Sequence, residues 1–148
     1  MFTVTAEPTQ AFTESISARL RADTTLMAQV TGVYGHLSEA QRTAYPYLVL
    51  GRRHLTREAG AMGLAGGIVE LQIDGWSDYK GPLEMQQILS RVSVLLERQP
   101  IVVTGFDLLR GSLTCTLSDV DDEPDEDKPG SRLWHGVQQW TAEIHESI

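Results

Sequence analysis

The residues of this chain that could carry chemistry are four histidines, one cysteine and a dense run of carboxylates. The histidines are His36, His54, His135 and His145. A zinc hydrolase of the HExxH kind needs two ligands on one helix face, and no pair of these has that spacing. His54 follows Arg52 and Arg53, a poor neighbourhood for a cation. Each histidine is therefore expected at the surface or in a structural role. Cys115 falls on the apolar side of an alternating stretch, GSLTCTLS, where a free cysteine behaves as a small hydrophobe. A nucleophilic thiolate needs exposure and an activating neighbour. A single cysteine also excludes an internal disulfide and any multi-cysteine metal site.

The acidic run is DVDDEPDEDKPG, Asp119 to Gly130. Asp119, Asp121 and Glu123 have the one-three-five spacing of a calcium loop. Pro124 then stands where that loop needs glycine, and Gly130 where it needs a bidentate glutamate. The expectation is a solvated acidic loop with no metal. Such a loop repels phosphate within about a Debye length, roughly 8–10 Å. GLAGG, Gly63 to Gly67, looks like a phosphate loop but precedes a strand rather than a helix, so the helix amides that would cradle phosphate are missing. No GxSxG, Walker or GxGxxG pattern is present, and no cofactor is expected.

One junction remains. LQIDGWSDYKGPLEM alternates like a strand and then turns amphipathic, with Trp76, Asp78 and Tyr79 at the switch. Trp76 is expected to anchor the junction against the core. Asp78 is expected at or before the helix N-terminus, where negative charge is favourable. No base or nucleophile accompanies them.

These residues need elements to hold them. Phe12, Ile16 and Leu20 recur at helical spacing, so Thr9 to Val30 reads as helix, with Thr9 as N-cap and a weak point at Asp23-Thr24-Thr25. Gly32 to Pro46 reads as a connection. Tyr47-Leu48-Val49-Leu50 opens a buried strand towards Leu55, and EAGAMGLAGG, Glu58 to Gly67, reads as a flexible hairpin tip. From Ile68 to Trp76, Val69, Leu71 and Ile73 face one way and Glu70, Gln72 and Asp74 the other. Gly81-Pro82 starts a second helix, with Met85, Ile88, Leu89, Val92, Leu95 and Leu96 on one stripe. Phe106 to Ser118 reads as a third strand, with Leu109, Gly111, Leu113, Cys115 and Leu117 lining one side. Arg132 to Ile144 reads as a fourth, with Trp134, Trp140, Ala142 and Ile144 together. The fold class is α+β: a two-layer sandwich in which two helices cover one face of a mainly antiparallel four-stranded sheet, in the order α-β-β-α-β-β.

A chain of 148 residues suits one domain, and such a domain buries roughly 70% of the surface its unfolded chain exposes. Residues 1–10 are expected to be flexible. The formal charge of −8 argues against nucleic acid as a gripped partner. No apolar run is long enough to span a membrane, and the N-terminus lacks a basic-then-apolar secretion signal.

The order ISARLRADTTLMAQV, YPYLVL, a glycine-rich hairpin, LQIDGWSDYKGPLEMQQILSRVSVLLE and RLWHGVQQW resembles the tail-completion or tail-terminator proteins of long-tailed bacteriophages and related gene transfer agents. The likeness runs from about Ala11 to Glu143, and WSDY is its most specific part. The resemblance implies a non-enzymatic virion protein assembled in the host cytoplasm. It forms a hexameric ring on the head-proximal end of the tail tube, ends tube polymerisation and meets the head connector. DNA passes through its lumen. On that reading the contacts to tube, connector or neighbouring copy fall to Ala61, Met62, Leu64, Trp76, Asp78 and Tyr79. The lumen charge falls to Glu70, Asp74, Asp119, Asp121, Asp122, Glu123, Asp125, Glu126 and Asp127. The alternatives are another head–tail joining protein, or a small-molecule enzyme with a pocket built from His135, Trp134 and Tyr79.

Overall fold

The computed structural model describes residues 7–35, 44–57 and 66–147. The first helix, α1, spans Pro8–Arg21. Pro8 takes a position where a missing N–H costs nothing, and the Glu7 carboxylate, rather than Thr9, caps the helix by accepting the Thr9 and Gln10 amides. Pro8, Thr9 and Gln10 form its first turn. The weak point at Asp23 is a true break. Asp23 Oδ2 accepts the Leu26 amide at 2.8 Å and caps a second helix, α2, Thr24–Gln29. The described residues therefore hold three helices where two were expected; the third, α3, spans Leu83–Leu96.

Among the described residues the sheet has six strands where four were expected: β1 Gly32–Tyr34, β2 Tyr47–Arg57, β3 Gly66–Ser77, β4 Phe106–Leu108, β5 Thr114–Pro124 and β6 Arg132–Glu146. The order is β1-β2-β3-β6, with β4 and β5 following one another along the outer side of β6. β2–β3 and β5–β6 are antiparallel hairpins, and β3 and β6 also pair antiparallel. The stretch read as a connection supplies β1, which runs parallel to β2, so the sheet is mixed. The expected third strand is cut in two. Gly111 adopts φ +76°, and the loop is stitched to β6 by Leu109 N–H donating to Glu143 O. That turn, with a bulge between Cys115 and Leu117, breaks the expected alternation. Leu113 is buried, whereas Leu109 and Leu117 are exposed.

The acidic run is not one loop. Asp119–Pro124 continue β5, paired with Arg132–Val137 of β6, and the turn is confined to residues 125–131. A charged composition does not prevent strand formation where a long partner supplies the ladder on one side and water solvates the side chains on the other. The hairpin tip with Ala61, Met62 and Leu64 lies outside the described residues; β3 starts at Gly66.

All three helices pack on one face. Phe12, Ile16, Leu20, Leu26, Leu48, Leu50, Val69, Leu71, Ile73, Trp140 and Ile144 join the whole apolar stripe of α3 in one core. Burying one such side chain contributes about 1.5–3 kcal/mol. Intrinsic helix propensities differ by less than about 1 kcal/mol, so Ile88 and Val92 sit in α3 despite their β-branching. The seat of α3 is a bare rung. Gly75 and Gly136 are register partners, and a Cβ on either would lie 2.6–2.7 Å from the Met85 side chain. Deeper in, Gln138 is 1% exposed. Its Nε2 lies 3.1–3.2 Å from Leu89 O, Ser93 Oγ and Ser118 Oγ, and its Oε1 accepts the Trp140 indole N–H, so one side chain ties α3, β5 and β6 together.

Asp23 also fixes α2 to α3. Arg91 donates to both its oxygens, at 2.7 and 2.8 Å. These bonds, then the Leu26 amide, lower the Asp23 carboxyl from its ordinary value of 3.8 to about 2. A depressed folded value means that the pair's contribution is present above pH 3.8 and is lost as pH falls towards 2.

Two outcomes follow. Gly136→Ala should cost about 1–3 kcal/mol in urea unfolding, through overpacking against Met85. It should cost clearly less in a Met85→Ala background, and equal costs in both would remove the bare-rung account. Asp23→Asn keeps the cap and loses the ion pair, so stability should fall less steeply between pH 4 and 2 than in the parent. An unchanged slope would contradict the pairing.

Candidate functional site

With the helices on one side, the other side of the sheet is open. Strand alternation puts Glu70, Gln72, Asp74 and Trp76 of β3 there, and register fixes their neighbours. The rungs across β2, β3, β6 and β5 read His54–Glu70–Thr141–Thr114, then Val49–Asp74–Val137–Asp119, then Tyr47–Trp76–His135–Asp121. Between the first two lie Gln72, Gln139 and Leu117.

These side chains are linked. Gln139 Nε2 donates to Gln72 Oε1 at 3.3 Å, and Gln72 Nε2 donates to the Asp74 carboxylate at 3.1 Å. His135 Nε2 lies 2.8 Å from Asp74 Oδ1. The His135 ring stacks flat on the Trp76 indole, with centroids 4.1 Å apart and planes within 6°. Tyr45 stacks on Tyr47 at 5.4 Å, and Tyr34 meets Tyr47 edge-on at 6.4 Å. The result is an aromatic band at one end of the open face and a polar, acid-rich field over the rest. At the far end His145 Nε2 pairs with Glu143 Oε1 at 3.0 Å.

The residues expected to carry lumen charge separate in the structure. Glu70, Asp74, Asp119, Asp121 and Glu123 share the open face. Asp122 alternates to the other side, where Arg132 Nε donates to it at 2.8 Å. Asp125 is buried and organises the turn: its Oδ1 accepts the Asp127 amide and its own amide donates to Ser131 O. Glu126 and Asp127 are exposed on that turn.

Of the expected contact residues, Trp76 is on the open face rather than against the core, because the core-facing positions of β3 are the odd-numbered ones, Val69 to Ser77. Asp78 and Tyr79 are exposed beside the start of α3. Asp78 does not cap that helix: the N-cap position is Pro82, with no side-chain cap. The organising residue is Ser77, fully buried, whose hydroxyl accepts the Tyr79 amide and donates to Glu84 Oε1 at 2.7 Å. Ala61, Met62 and Leu64 fall outside the described residues.

The His135–Asp74 pair has the geometry of a base and its orienting carboxylate. Among the described residues no serine, threonine or cysteine side chain is hydrogen-bonded to the His135 ring. Cys115 lies on the other side of the sheet, opposite Trp140, and burial pushes its thiol up. Trp134 and His135 project to opposite sides of β6, so the pocket of the enzyme reading is not assembled by them. Among the described residues no group of three or more His, Cys, Asp or Glu side chains could hold a metal ion, and no helix is long and apolar enough to cross a membrane.

The aromatic band was not read from the sequence. Its one local signal is the pair Tyr45 and Tyr47, two apart in the chain. Its other members, Tyr34, Trp76 and His135, meet only through strand register.

No curated protein matches this sequence. Among solved structures the fold is similar to a chain of the virion of a native gene transfer agent particle. The TM-score is 0.77 at 20% identity, over 97% of this chain and 99% of that one. The family model described as tail completion protein gp17 matches residues 14–145. That span takes in both hairpins, α3 and most of α1, and by it the chain belongs to the tail completion protein family and to the virion tail.

Proposed function

We propose that this protein is a non-enzymatic ring subunit. Six copies close on the head-proximal end of the tail tube, end its polymerisation and present a surface to the head connector. The observation that carries this reading is the one-sided sheet. Its helix-covered face is finished, and its open face shows carboxylates at Glu70, Asp74, Asp119, Asp121 and Glu123. Membership of the tail completion family supports a place at a tube end, and the solved chain of like fold comes from a gene transfer agent virion.

Turned inward, the open face gives DNA a passage without a grip. Affinity for a duplex comes largely from lysine and arginine that release counterions from phosphate. Carboxylates do the reverse. The outward contacts fall to Asp78 and Tyr79 beside α3, to the Trp76 band, and to Ala61, Met62 and Leu64, which lie outside the described residues.

Purified protein mixed with growing tail tubes tests this. Electron microscopy should show a six-fold ring at one end of each tube, and tube lengths should stop increasing once rings are present. Decoration along the tube wall, or rings at both ends with growth continuing, would count against it.

A further inference from the structure

Closing a ring requires two different surfaces of one copy to fit each other, and the sheet carries two unlike edges. Along one runs β5, paired with β6 on its inner side and with no strand on its outer side among the described residues. Along the other runs β2. β1 covers only Tyr47, Leu48 and Val49 there, so from Leu50 to Arg57 the outer side of β2 carries no described strand. Such an edge is a row of backbone donors and acceptors that can add another strand; on β5 the Cys115, Val120 and Asp122 amides donate to the Glu97, Asp119 and Asp121 carboxylates, which an added strand would have to displace where it pairs.

The two edges carry opposite charge. β5, TCTLSDVDDEP, holds Asp119, Asp121, Asp122 and Glu123 and no basic residue. β2, YLVLGRRHLTR, holds Arg52, Arg53 and Arg57 and no acidic residue. Pairing β5 with β5 sets carboxylate against carboxylate, and pairing β2 with β2 sets arginine against arginine; like charges directly opposite are destabilising. Only β5 against β2 is compatible. The charges therefore act in two ways: they discourage a symmetric edge-to-edge dimer and favour a head-to-tail contact, the kind that closes into a ring.

Strand direction agrees. β2, β3, β6 and β5 alternate in direction, so a neighbour's β2 placed beside β5 continues the antiparallel order. The charged stretches are not level. Asp121 shares a rung with Trp76, and Leu55 shares one with Val69. Bringing them together tilts the strands against the ring axis, as closing a sheet into a barrel does.

We infer that neighbouring copies join by β5 of one adding to the outer edge of β2 of the next, acidic strand on basic strand, so that the sheet runs on around the ring with its open face inward. This rests on the ring reading above and specifies its interface.

Cysteine cross-linking on tail tubes tests it. In a Cys115→Ala background, His54→Cys is placed on β2 and one of Leu117→Cys, Asp119→Cys or Asp121→Cys on β5, all four being exposed and on the open face. Mild oxidation of tube-bound protein should give a ladder of covalent species reaching six copies for at least one combination. Neither the β2 cysteine nor a β5 cysteine alone should cross-link. Six-fold rings by microscopy with no ladder from any combination would overturn the edge interface and leave the ring standing. Dimers from a β5 cysteine alone would overturn it in favour of symmetric pairing. Absence of both ring and ladder would remove the ring reading and this inference together. As a second measurement, Arg53→Glu should cut ring yield at least tenfold with a normal circular dichroism spectrum, and unchanged yield would count against charge selection.

Discussion

The close approach of α3 to the two central strands is the contact on which the rest of this molecule depends. Gly75 and Gly136 face each other across β3 and β6 and leave no side chain beneath Met85. The first turn of α3 can then lie almost on the backbone, and its apolar stripe reaches β3, β5 and β6. Protein interiors pack at crystal-like density, so the rung leaves no slack for an added methyl. With α3 fixed this way, α1 and α2 close over the remaining core, held by Arg91 on Asp23 and by Arg19 Nε donating to Leu95 O. Every helix is thereby committed to one face of the sheet.

The consequence is a surface with a different chemistry. The face left open carries amides, carboxylates, three histidines and an aromatic band, joined by cross-strand hydrogen bonds rather than by packing. An antiparallel sheet tolerates water on one face, so stability does not require a cover there. Among the described residues, β5 and the Leu50–Arg57 part of β2 have no strand on their outer sides. The His135–Asp74 contact is made by an imidazole that lies flat on Trp76, so it helps to orient one member of the band.

Sequence and structure agree where period decides and part where register decides. The stripe of α3 and the two faces of β3 were legible because repeated burial imposes a repeat on residue type. The break at Asp23 was legible because a capping residue interrupts a stripe. β1 was not, since three residues carry no period. The acidic half of β5 was misread because composition argued for a loop while the ladder to β6, formed far along the chain, argued for a strand and prevailed. Gln138 gave no signal as a buried residue, because its partners Leu89, Ser93 and Ser118 come from α3 and β5. The open-face carboxylates were half legible. Alternation gave Glu70 and Asp74, and only the pairing of β5 with β6 separated Asp119, Asp121 and Glu123 from Asp122.

A reconstruction of the assembled tail at its head-proximal end is the most direct test of which way the open face points. The predicted result is Glu70, Asp74 and the Trp76–His135 stack on the inner wall of a six-fold ring, with α3 on the outside. A ring with α3 lining the channel and Glu70 and Asp74 on the outer rim would contradict it.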